Sequence, residues 1–251
     1  MNSILKTIKL CKTFSTGGVQ QHVLRNIDLE IYEKDFTVIM GASGGGKSTL
    51  LYALSGMDTP TLGDVLFGAE NIAKFSQDKL AIFRRMNCGF VFQQVYLIES
   101  MSVLDNVLIC GLLLPGDKKE LVVRAKSLLL SVGIGEGLWH KLPAQLSGGE
   151  AQRVGVARSV INNPKILFAD EPTGAVNSTM AKAVLDVLTE CNDKGQSIVM
   201  VTHDINSALR ANRVLYLKDG AIEGELAFNK YEGEDAERRN KMKSFLAEQG
   251  W

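Results

Sequence analysis

Two kinds of hydrophobic pattern run along this chain. "TIKLCKTF" and "NIDLEIY" near the start, and "DVLF" later, set apolar residues between polar ones and end in turn signals, the mark of strands buried on one face. This flank, from Thr7 to Tyr32 and again from Gly63 to Phe67, predicts an antiparallel sheet, with "MNSILKTIKL" as its first strand. "FTVIM", "CGFVF", "KILFA", "SIVMV" and "RVLYL" are instead short, nearly unbroken apolar runs, as expected of parallel strands covered on both faces. Helical stretches separate most of them. "KSTLLYALSGM" places Leu50, Leu54 and Met57 on one face, and "EAQRVGVARSVINN" does the same with Val154, Ala157 and Ile161 before Pro164 stops it.

Between Gln94 and Leu146 the periodicity turns helical, most clearly in "LVVRAKSLLLSVGI", and no comparable buried strand interrupts it. The pattern predicts an α/β core over 4–93 and 165–227, with a mainly parallel sheet and an antiparallel β flank. A helical subdomain is inserted over 94–164. After the hairpin "LYLKDGAIEGEL" comes a C-terminal helical extension, 228–251, in which Met242, Phe245 and Leu246 share a face. No internal repeat or low-complexity tract suggests a solenoid or a disordered regulator.

Composition narrows the class. Of 251 residues 45% are hydrophobic, enough for a substantial core near the size at which cores begin to divide. Lys plus Arg and Asp plus Glu both number 28, so no global field favours nucleic acid or an acidic membrane surface. Cys11, Cys88, Cys110 and Cys191 lack metal-ligand spacing and read as packing thiols in a reducing compartment. The N-terminus lacks the apolar core of an export signal. The apolar stretch "VLICGLLLPG" falls well short of the ~20 residues of a membrane span, so a membrane role requires a partner.

Chemistry enters with "GASGGGKST", which fits G-x-x-x-x-G-K-[ST] from Gly41 to Ser48 and lies between the strand "FTVIM" and an apolar helix. In that context Gly41, Ser43, Gly44, Gly45 and Gly46 bring backbone N–H groups onto phosphate oxygens, backed by the helix dipole. Lys47 reaches the β- and γ-phosphates, Ser48 offers its hydroxyl to Mg²⁺, and Thr49 follows in the same turn. "KILFADEP" ends a buried strand in two adjacent carboxylates, which need a cation or solvent. Asp170 suits the metal, and Glu171 suits the general base that polarises the attacking water. "CGFVF" delivers Gln93 and "SIVMVT" delivers His203, the latter as a γ-phosphate contact. All these groups lie at carboxyl ends of strands, the edge where open α/β sheets bind ligands.

A second glycine loop, "LSGGE", opens the helix "EAQRVGVAR". Ser147, Gly148 and Gly149 form another anion site by the same exposed N–H groups. With Glu150 the same residues also spell an ordinary capping box.

Together these motifs resemble the ATP-binding subunit of an ABC transporter over residues 4 to 227. Walker A, the Q-loop Gln93, the signature Leu146–Glu150, Walker B Ile166–Asp170 with Glu171, and the switch His203 follow in the family's order. The resemblance implies a P-loop NTPase fold, ATP and Mg²⁺ as ligands, and Gln93 beside Ser48 and Asp170 at the metal. It implies two copies facing head to tail, each ATP lying between one copy's Walker A and the other copy's signature. It implies an integral-membrane permease as partner and a cytoplasmic place on the inner face of the membrane. Phe14 in "CKTFS" matches the family's adenine-stacking aromatic. "GFVFQQVYLIESMSVLDNV" and "FADEPTGAVNS" are similar to the branch serving lipoprotein release, macrolide export and antimicrobial-peptide resistance.

Two positions depart from the family pattern: Glu150 stands where Gln is commoner, and Asn177 stands where the D-loop usually carries Asp. The second would turn a charged contact across the dimer into a neutral one. A sensing ATPase that signals through a permease-like partner uses the same parts and remains the alternative to transport. Soluble ABC ATPases of translation or repair generally carry two cassettes or a long coiled-coil insertion, and this sequence has neither.

Overall fold

The computed structural model describes residues 2–233 and 235–251. In chain order they form β1 (Ser3–Thr16), β2 (Val19–Tyr32), β3 (Phe36–Met40), α1 (Lys47–Leu54), β4 (Leu62–Phe67), β5 (Glu70–Asn71), α2 (Gln77–Asn87), β6 (Cys88–Phe92) and α3 (Val103–Gly111). There follow α4 (Lys118–Ser131), α5 (Gly148–Val160), β7 (Ile166–Asp170), α6 (Ser178–Asp193), β8 (Ser197–Val201), α7 (Ile205–Ala208), β9 (Arg213–Lys218), β10 (Ala221–Ala227) and α8 (Ala236–Glu248). Contacts divide the chain into two compact units, residues 1–81 with 195–251 and residues 82–194.

The first unit holds the antiparallel sheet in the order β2-β1-β4-β5 and a second run of strands ordered β10-β9-β3-β8. β3 pairs in parallel with both β8 and β9, and its residues are all buried, as are those of β8. β10 turns back antiparallel to β9. The corner between them has Asp219 (φ 49°) and Gly220 (φ 81°), positive at both positions as a tight hairpin of native twist requires. On α8, Met242, Phe245 and Leu246 are buried together, and Tyr216 of β9 meets the Phe245 and Trp251 rings edge-on.

The second unit packs α3, α4 and α5 around Val107, Leu129, Trp139, Val154 and Ala157, all buried. The valine and leucine side chains each contribute about 1.5–3 kcal/mol on leaving water. Trp139 also donates its indole N–H to the carbonyl of Ile134 at 3.1 Å. β6 and β7 form a parallel pair, with Phe92 opposite Asp170.

Two expectations from the pattern are corrected. α1 ends at Leu54, where Gly56 (φ 66°) takes the left-handed conformation that terminates helices. Met57 therefore leaves the helix and is 44% exposed, off the face shared by Leu50 and Leu54. "CGFVF" is buried on one face only, because β6 alternates buried and half-buried residues whereas β7 is buried throughout. Its apolar run had suggested cover on both sides.

Candidate functional site

In the first unit the glycine loop follows β3 directly. Gly41 has φ 153°, and a Cβ there would stand 2.2 Å from the carbonyl oxygen of Leu217 in β9. Only glycine lets the chain leave the strand this close to its neighbour. Gly45 N–H closes the turn onto Ala42 O at 3.1 Å. Gly46 caps α1 with no side-chain hydrogen bond, which leaves the backbone donors of the first turn without that cover. A side chain at Gly44 would meet nothing within 4 Å, so the loop is open on that side. Lys47 is 5% exposed, and its ammonium donates to Gly41 O at 2.9 Å and Ala42 O at 2.8 Å. A buried cation bent onto carbonyls beside an open ring of glycines fits a polyphosphate. Ser43 lines the exposed rim, while Ser48 and Thr49 are half-buried in α1.

His203 leaves β8 at the same end. The register pairs Ile39 with Val201, and Thr202 N–H donates to Ile39 O at 3.2 Å. The histidine itself is exposed. Asp204 then caps α7 by accepting from Ser207 N and Oγ, both at 2.7 Å. Phe14, on β1, is 43% exposed with the Lys12 ammonium 5.0 Å from its ring centroid. Lys12 is held there by Asp58 at 2.6 Å and Thr59 O at 2.8 Å, which presents Phe14 at the surface rather than in the core.

In the second unit the β6–β7 register releases Gln93 and Glu171 at one end of the pair. Asp170 is nearly buried at the close of β7. Glu171 has φ 42°, unusual for a non-glycine residue and of the kind that collects at functional sites. Its carbonyl accepts from Gly174 N at 3.0 Å. A Cβ on Gly174 would lie 2.7 Å from Gln93 Nε2, so the absent side chain leaves room for the Gln93 carboxamide.

The signature loop is a complete capping box. Ser147 Oγ accepts from Glu150 N at 3.3 Å, and Glu150 Oε2 accepts from Ser147 N and Oγ, both at 2.8 Å. The Ser147 backbone N–H, followed by its hydroxyl, holds the Glu150 carboxyl below the usual carboxylate range. Gly149 lets α5 approach α6, since a Cβ there would be 2.9 Å from Met180 Cβ. Asn177 caps α6 by accepting from Met180 N at 3.0 Å, a role Asn fills as well as Asp.

Sequence reasoning passed over the residues that shape the stretch after Gln93. Gln152 of α5 donates to Phe92 O at 2.8 Å, and Arg158 of the same helix donates to Tyr96 O at 2.8 Å and Val95 O at 2.5 Å. Buried Asn106 accepts from Ile98 N at 2.7 Å and donates to the carbonyls of Ile98, Met101 and Ser102. Their only sequence signal is polar character on otherwise apolar helix faces.

The Asp170 carboxylate and the Gln93 carboxamide, both in the second unit, are oxygen donors of the kind Mg²⁺ takes, and the Ser48 hydroxyl in the first unit is another. Among the described residues no three His, Cys, Asp or Glu side chains gather as a metal cluster. So few protein donors in either unit suit an ion that takes most of its ligands from phosphate and water, as Mg²⁺ does with nucleotides.

The model of the family described as "ABC transporter" matches residues 24–174. An uncharacterised ABC transporter ATP-binding protein of Methanocaldococcus jannaschii, MJ1508, is 46% identical over 211 residues, 84% of this chain and 94% of that protein. The macrolide export ATP-binding/permease protein MacB of Wolinella succinogenes is 43% identical over 211 residues, 84% of this chain and 33% of its own length. The chain thus spans about a third of MacB. Among solved structures, the dimeric post-hydrolysis state of the ATP-binding cassette MJ0796 with ADP and Pi superposes with a TM-score of 0.83 at 37% identity, covering 90% of this chain and all of that one. With a phosphate loop, a strand-end carboxylate pair and a signature loop in one α/β fold, the chain belongs to the ABC transporter family as one of its ATP-hydrolysing cassettes.

Proposed function

We propose that this cassette works as a head-to-tail dimer that drives an integral-membrane permease, exporting or removing macrolides, antimicrobial peptides or lipoproteins. The observation that carries this reading is the 43% identity to the ATP-binding third of MacB, whose name joins ATPase and permease. The dimeric state of MJ0796 supports the pairing. Among the described residues no helix is long and apolar enough to cross a membrane, so in this reading the chain sits on the inner face of the membrane through the permease.

In the proposed cycle Phe14 stacks on adenine, and the glycine loop from Gly41 to Gly46, with Ser48 and Thr49, wraps the phosphates. Lys47 exchanges its carbonyl partners for β- and γ-phosphate oxygens. Magnesium, where bound by Ser48, Gln93 and Asp170, supplies the positive charge that offsets charge developing on those oxygens. Glu171 takes a proton from the attacking water, and His203 donates to the γ-phosphate. Ser147, Gly148, Gly149 and Glu150 of a second copy close the site. Addition of EDTA to the purified protein should abolish ATP turnover; turnover that survives it argues against Asp170 as a metal-site residue.

The permease contact in this reading lies on the segment after Gln93, where Tyr96 is 66% exposed and Ile98 is also exposed. Leu97, the apolar residue between them, packs partly buried against the helical core instead. Tyr96→Asp should therefore prevent co-purification with the permease while leaving Tm unchanged. Leu97→Asp should lower stability by about 1–3 kcal/mol through a partly buried charge and lost packing. Retention of the permease by Tyr96→Asp removes this location. Reconstitution of the complex in vesicles tests transport itself: macrolide movement driven by ATP supports export, and permease-stimulated hydrolysis without movement supports sensing.

A further inference from the structure

Arg238, in the first turn of α8, is only 7% exposed, and a guanidinium at such a place needs partners. Its Nε donates to Leu209 O at 2.7 Å, Nη1 to Asn229 O at 2.7 Å, and Nη2 to Ala211 O. Phe228 and Tyr231 lie against the same group, with their ring centroids 4.3 and 5.6 Å from Cζ. Leu209 and Ala211 stand just beyond the four-residue helix α7, where carbonyls lack helical partners. The neighbouring Arg239 donates to Asn206 Oδ1 inside α7 at 3.1 Å. The C-terminal helix therefore grips this short segment at several points.

That segment begins at His203. It is tied at both ends to β3, the strand that feeds the phosphate loop: Thr202 N donates to Ile39 O at 3.2 Å, and Asn212 N donates to Phe36 O at 2.9 Å. Between those ties, a helix of one turn has little stiffness of its own. Arg238 supplies what the turn lacks, because a planar fork bonded to separate carbonyls fixes orientation as well as distance.

We infer that Arg238 is a positioning residue for ATP hydrolysis, clamping the end of α7 so that His203 holds a fixed place at the end of β8. The inference rests on the proposed γ-phosphate contact of His203. It extends beyond the residues 24–174 matched by the family model and gives α8 a part in the ATPase cycle.

The test is a double-mutant cycle on the full chain with saturating Mg-ATP, comparing the unaltered protein, His203→Ala, Arg238→Lys and the double variant. Lysine keeps the charge but cannot span the carbonyls. Arg238→Lys should lower kcat about 10-fold, with KM for ATP and binding of a fluorescent ATP analogue unchanged. In the His203→Ala background it should cost nothing further, because its effect passes through the histidine. An equal loss in both backgrounds, or an unchanged kcat, overturns the role of Arg238 while leaving that of His203 intact. Unchanged turnover in His203→Ala alone removes the reading of His203 and this inference with it. If Arg238→Lys does not fold by circular dichroism, Arg239→Ala runs through the same cycle, where a loss of about twofold or more that vanishes without His203 supports the clamp and an additive or absent loss rejects it.

Discussion

Glu171→Gln should lower the rate of ATP hydrolysis by about 10²- to 10⁴-fold, the usual contribution of a positioned general base, while ATP still binds. In barrier terms this is about 2.7 to 5.5 kcal/mol. The variant isolates chemistry from shape. Glutamine has the size of glutamate and faces the same backbone cost at φ 42°, so the turn from Glu171 O to Gly174 N is retained. What disappears is the ability to accept a proton from water. Phosphate release under saturating ATP measures the rate, and a fluorescent nucleotide measures binding. Hydrolysis within a few-fold of the unaltered protein would remove Glu171 from the role of base. Lost binding would instead mark it as a structural support of the strand end.

A mixed dimer of one Lys47→Ala chain and one Ser147→Arg chain should still cleave one ATP in a single turnover. Lys47→Ala removes the ammonium now folded onto Gly41 O and Ala42 O. Ser147→Arg fills the signature and removes the cap on Glu150 N, at a helix cost of about 1 kcal/mol that a Tm measurement detects. If the sites are shared between copies, one site receives both defects and the other joins an intact phosphate loop to an intact signature. If each loop serves its own copy's nucleotide, both sites are damaged. Single turnover asks only whether one site fires. One phosphate per dimer supports the shared site. None, with nucleotide still bound, contradicts either the shared site or the independence of the two sites, and counting nucleotide trapped by the Glu171→Gln dimer separates those cases.

The two glycine loops show how one motif carries two physical meanings. Ser147 through Glu150 read from sequence both as an anion site and as a capping box, and the isolated chain forms the box, with the Glu150 carboxylate holding the Ser147 hydroxyl. Binding of a partner's phosphate at Ser147 would then replace an internal acceptor. The loop at Gly41 has no such alternative, since Gly46 makes no side-chain cap.

Whatever depends on neighbours along the chain was legible in the sequence by itself. Alternation marked the antiparallel flank, unbroken apolar runs marked β3, β7 and β8, and period marked the buried face of α8. The phosphate loop, the carboxylate pair and the signature are contiguous, because backbone donors and strand ends are local features. The tertiary structure decided what depends on distant partners. Leu97 is apolar beside exposed Tyr96, yet only the folded helices determine which of them is covered. "CGFVF" has the composition of a fully buried strand, yet the folded chain covers one face and leaves the other half-open. Gln152, Arg158 and Arg238 carry no motif, since each acts on backbone carbonyls 60, 62 and 29 residues away along the chain. Any residue can offer a carbonyl, so no pattern of side chains announces where such a donor will find one.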